Sequence, residues 1–80
     1  MMAPFVSLAL KVSEKMEFVD KDSRGIAMRF CKIYPPDKIA RIVEEAQKFS
    51  WWRQNSKAAF MKAIGMVNKE EKQAQVGVLT

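Results

Sequence analysis

Trp51 and Trp52 are the side chains from which a binding chemistry is most directly read. Adjacent residues project about 100° apart on a helix and to opposite faces of an extended segment, so one flat core surface does not easily take both indoles. At least one ring is therefore expected to stay partly exposed, beside Arg53 and within reach of Lys48 or Lys57. An accessible indole among cations suits stacking on an unpaired base or anchoring a protein interface. The plainer arrangement has both rings wrapped over the rim of the core with their N–H groups in water.

The charges around this pair are unevenly spread. The chain carries 14 basic and 9 acidic residues, a formal net charge of +5. No acidic residue lies between Glu45 and Glu70, and that interval holds Lys48, Arg53, Lys57, Lys62 and Lys69, which account for the whole excess. On a helical wheel Lys57, Lys62, Lys69 and Lys72 fall opposite Phe60 and Val67, together with Met61, Gly65 and Asn68. A helix with one apolar and one basic face suits a phosphate backbone, although a solvated face of lysines is the commoner meaning of such a pattern. The arginines number only four, Arg24, Arg29, Arg41 and Arg53, which weakens the case for bidentate recognition of bases or phosphates.

Catalytic chemistry finds little support. Histidine is absent and Cys31 is the only cysteine, so structural zinc and an internal disulfide are both excluded. Oxygen ligands are not clustered as a hard-cation loop requires. Cys31 reads as a small buried hydrophobe, because the side chains of Arg29 and Lys32 point away from it on a helix. The carboxylate pairs Glu14 and Glu17, Glu44 and Glu45, and Glu70 and Glu71 read as solvated helix surface rather than as an acid and base facing one pocket. No phosphate loop, nucleotide fingerprint or nucleophile elbow is present. No catalytic residue, metal or cofactor is expected.

Four helices are needed to position these groups. Pro4 to about Val19 forms the first, with Phe5, Leu8, Ala9, Val12, Met16 and Val19 as an inward stripe at spacings of three and four. Val6, Leu10 and Phe18 fall outside that stripe, so this helix either touches two neighbours or leaves an apolar flank for a partner. Asp20, Asp22 or Ser23 caps a second helix that reaches about Ile33, with Ile26, Phe30, Ile33 and Tyr34 on its core face; Pro35 ends it. Pro36 and Asp37 open a third helix, whose stripe is Ile39, Ile42, Val43, Ala46 and Phe49. The fourth starts at Asn55 or Ser56 and runs to about Lys72, burying Ala59, Phe60, Ala63, Ile64 and Val67. The expected fold is all-α: a compact bundle of four short helices in a single domain, residues 1–72, followed by a frayed, flexible tail, residues 73–80.

A single cysteine fits a reducing, cytoplasmic setting. Met1 to Leu10 lacks the basic start and cleavage site of a signal peptide, and Lys11, Glu14 and Lys15 interrupt any membrane span. Two functions are consistent with these features. The first is a nucleic-acid-binding accessory or regulatory module, for DNA or RNA, using Lys48, Trp51, Trp52, Arg53, Lys57, Lys62 and Lys69. The Ser50 to Asn55 connection is longer than a helix-turn-helix turn, which counts against that motif. The second is a protein-interaction module, self-associating or docking on a larger protein, through Val6, Leu10, Phe18 and the Trp51 region.

Overall fold

The computed structural model describes the backbone of residues 4–79 and the side chains of residues 4–72. It contains four α-helices: α1 Pro4–Lys15, α2 Lys21–Ile33, α3 Pro36–Ala46 and α4 Ser56–Leu79. The first two pack chiefly on each other and the last two likewise, with α3 also touching α1 and α2. The fold is thus two helical hairpins closed over a shared core. No helix among the described residues is long and apolar enough to cross a membrane.

The end of α1 departs from its apolar stripe. Glu17 adopts a left-handed backbone with φ of 57°; the Phe18 amide donates to the Ser13 carbonyl at 2.8 Å and the Glu17 amide to the Glu14 carbonyl at 3.2 Å. This pair of bonds is the Schellman closure of a helix end, usually built around glycine. It ends the helix four residues before Val19 and turns the chain so that Phe18 enters the core while Val19 is 83% exposed. Both expectations for these side chains are therefore reversed.

Asp20 is the cap of α2, its carboxylate accepting from the Ser23 amide at 2.9 Å and from the Ser23 hydroxyl at 2.8 Å. These bonds hold the Asp20 carboxyl below its ordinary value, so the cap contributes at neutral pH and is lost as pH falls through that lowered value. The helix buries Ser23, Ala27 and Cys31 along one line, with Ile26, Phe30 and Tyr34 half-buried beside it. Small side chains on that line, with Ala9 and Ser13 among the buried residues of α1, let the two helices pack closely. Ile33 is 61% exposed, contrary to its expected place on the core face, because the helix lays the line of small residues inward.

In α3 the buried set is Ile39, Ile42, Val43 and Ala46, with Pro36 in the first turn, as its periodicity requires. α4 opens with Asn55, whose side-chain oxygen accepts from the Ala58 amide at 3.2 Å, and buries Ala59, Phe60, Ala63, Ile64 and Val67. Its backbone remains helical to Leu79, past the expected end near Lys72. Of the tail expected to be frayed, residues 73–80, the backbone is helical as far as Leu79; its side chains and Thr80 lie outside the described residues.

Phe60 is fully buried and meets Phe18 edge-on at 5.7 Å and Phe30 at 6.3 Å between ring centroids. One ring from α4 thereby joins the α1 end and α2. Lys38 and Arg41 of α3 pair with Glu71 and Glu70 of α4, and Asn68 donates to the Tyr34 hydroxyl at 3.1 Å. These contacts fix the rotation of α4, and hence which of its lysines face which neighbour.

Candidate nucleic-acid interface

The α3–α4 connection, residues 47–55, is a series of turns in which the Trp52 amide bonds to the Phe49 carbonyl and the Gln54 amide to the Trp51 carbonyl. The tight winding sends the two indoles to different places. Trp52 is 8% exposed and belongs to the core, with the Arg53 guanidinium 4.6 Å from its ring. Trp51 is half-buried and stacks on Phe49, 5.0 Å between centroids and 20° between planes. Trp52 is therefore corrected from a candidate stacking platform to a core residue. Phe49 takes its place, since the chain leaves α3 at Ala46 and no longer holds Phe49 on the α3 stripe. The Phe49-x-Trp51 spacing in a non-helical connection was the available sequence signal for this pairing.

Acrylamide quenching distinguishes the two indoles. With Trp51→Phe, the remaining Trp52 fluorescence is expected to be strongly protected, whereas with Trp52→Phe the remaining Trp51 is expected to be quenched readily. Equal protection of both would place Trp51 inside the core.

The basic residues also separate. Lys62 lies against the stacked pair, its ammonium 5.5 Å from the Phe49 ring and 5.9 Å from the Trp51 ring. Lys69, two helical turns further along α4, falls on the same line. Lys57 is on the other flank, where it lines clefts with α2 and with the α1–α2 connection. The single basic face expected from the helical wheel is thus two faces separated by the curvature of the helix.

Two further candidates are engaged by acids. Arg53 pairs with Glu17 at 3.0 Å, bracing the α3–α4 connection against the turn after α1. Lys48 pairs with Glu45 at 2.8 Å, and the hydrogen bond to that carboxylate raises its pKa above the ordinary value. Exposed pairs of this kind add little to stability, but each neutralises the charge locally. Among the described residues, Lys57, Lys62 and Lys69 take part in no ion pair.

Gly65 lies between Lys62 and Lys69 on α4, exposed, with no atom within 4 Å of where a β-carbon would stand. Packing does not require a glycine there, and glycine costs a helix interior about 0.5 to 1 kcal/mol relative to alanine. Its effect is to leave backbone uncovered beside the two lysines. Cys31 is buried and its thiol is pushed up to about 11 by that burial, so it is unreactive as a thiolate at neutral pH.

No family model matches the chain, and neither the curated proteins nor the solved structures contain a significant match to it.

Proposed function

We propose that this chain is a small, basic, helical nucleic-acid-binding module, acting as an accessory or regulatory protein on unpaired DNA or RNA. The observation that carries this reading is the Phe49–Trp51 stack with the Lys62 ammonium at its edge and Lys69 on the same line of α4. Aromatic platforms flanked by cations bind single strands because every base has a π-face and every nucleotide a phosphate. In this arrangement a base takes the exposed ring surface of Trp51 while Lys62 moves from the rings to a phosphate. The exchange gives up a cation–π contact worth about 0.5 to 1 kcal/mol at an exposed site and gains base stacking of about 1 to 3 kcal/mol. The uncovered backbone at Gly65 allows the strand to pass close to α4 between the two lysines.

The test is a titration of tryptophan fluorescence with a short oligothymidylate, about 4 nucleotides long, at several salt concentrations. Trp51 emission is expected to fall on binding. The affinity is expected to decrease with salt at a log-log slope of about −1.4, from two lysines at about 0.7 released counterions each. Absence of quenching at low salt would remove the platform from the reading.

A protein-interaction role is the second reading, supported by the exposure of Leu10 at 55% and of Ile33 on the outer faces of α1 and α2. Burial of Phe18 takes away the largest member of the flank on which that role was expected to rest. Concentration-dependent size in the absence of nucleic acid would favour it.

A further inference from the structure

We infer that the groove between α2 and the start of α4 is a second phosphate-binding site, which takes the sugar–phosphate backbone of the same nucleic acid. The inference rests on the proposed nucleic-acid function. The groove is an open cleft of about 590 Å³ lined by Lys21, Asp22, Gly25, Ile26, Arg29 and Lys57. Three cations line it with one carboxylate, Asp22; Lys57 also lies near the Asp20 carboxylate of the adjoining cleft, and none of the three cations takes part in an ion pair among the described residues. Lys21, Gly25 and Arg29 recur at intervals of four along α2, so one line of the helix presents a cation, an uncovered stretch of backbone and a second cation. Lys57 supplies the third cation from the neighbouring helix.

Gly25 favours a ligand over a merely solvated surface. It lies in the second turn of α2 with no atom within 4 Å of a β-carbon position. The fold thus has room for any side chain there and would gain helix propensity from most of them. A bare backbone is useful where a bulky group must approach the helix closely, and a phosphodiester held between Lys21 and Arg29 is such a group. Arg29 provides the planar fork that matches two phosphate oxygens, with Lys21 and Lys57 as point charges on either side. The groove and the Trp51 platform lie on opposite flanks of α4, so a strand long enough to reach both gains contacts that a short one lacks.

The test compares the short oligothymidylate with one of about 16 nucleotides, using the parent chain, Lys21→Ala combined with Arg29→Ala, and Gly25→Leu. The salt slope of the parent is expected to be steeper for the long strand by about 2, from three additional contacts at about 0.7 each. The double variant should bind the long strand about tenfold more weakly or worse, and lose about 1.4 of that slope, while still showing quenching by the short strand. Gly25→Leu fills the groove without changing charge; it should also bind the long strand more weakly while melting no lower than the parent. Long-strand affinity and slope unchanged in both variants would overturn the groove and leave the platform standing. Loss of long-strand binding in the variants, with no quenching of Trp51 in the parent, would support the groove and overturn the platform. Competition by polyglutamate as effective as by the long oligonucleotide would overturn the assignment to phosphate. Failure of the parent to bind either strand at low salt would overturn both.

Discussion

Phe60→Ala is expected to unfold the protein or leave it molten at room temperature. The ring is fully buried and is in edge contact with Phe18 and Phe30, so its removal opens a cavity where the α1–α2 connection, α2 and α4 meet. Truncating a buried phenylalanine costs about 3 to 5 kcal/mol, which is comparable to the whole stability that a core of this size supplies. For a domain of this length each kcal/mol moves the melting temperature by about 4 to 8 °C, so circular dichroism should show a shift of well over 10 °C or no cooperative transition. Phe60→Leu, which keeps most of the volume, should retain a cooperative but lower transition. A Phe60→Ala variant melting within a few degrees of the parent would mean that the core does not turn on this ring.

Reversing charge at Lys62 and Lys69 is expected to abolish measurable binding of a short oligonucleotide. If each lysine donates a charge-assisted hydrogen bond to a phosphate, loss of the two costs about 3 kcal/mol or more, about a hundredfold in affinity, before repulsion from the new carboxylates is counted. Both side chains are exposed, so the cost to the fold is small, chiefly the Lys62 contact with the Phe49 and Trp51 rings at about 0.5 to 1 kcal/mol. Lost affinity in Lys62→Glu with Lys69→Glu would therefore not reflect unfolding, which a melting curve verifies. Lys11→Glu with Lys15→Glu is the control, an equal change of net charge at exposed positions of α1. Equal losses from the two pairs would indicate attraction to net charge alone and would argue against a site at the Phe49–Trp51 stack.

The place of Phe60 and the surroundings of the α4 lysines are set at different levels of the molecule. Phe60 is legible as a core residue in the sequence alone, because Ala59, Phe60, Ala63, Ile64 and Val67 repeat at helical spacing. The same physics makes α3 legible: Pro36 presets the first turn, and Ile39, Ile42, Val43 and Ala46 form one stripe. Asp20 is among the expected caps of α2, and Asn55 among those of α4, since a short polar side chain before a helix satisfies an amide that the helix itself cannot. All of this is local information, with causes within about one or two turns of the chain.

The tertiary structure alone decided what depends on how the helices are rotated and closed. Phe18 and Val19 exchanged their expected places because Glu17 takes a left-handed conformation that is uncommon for a residue with a side chain, and two backbone bonds then close α1 early. Adjacency predicted that Trp51 and Trp52 would diverge; only the turns after α3 determined that Trp52 goes into the core and that Trp51 stacks on Phe49 at its edge, both half-buried against it. The lysines show the same division. Composition and spacing determined that α4 carries an excess of positive charge, but α4 is held by Glu70 and Glu71 against α3 and by Asn68 against Tyr34. That rotation sets Lys57 beside α2 and Lys62 beside the aromatic pair, because a helix surface is curved and its neighbours, not its sequence, decide which arc each residue shares with another element.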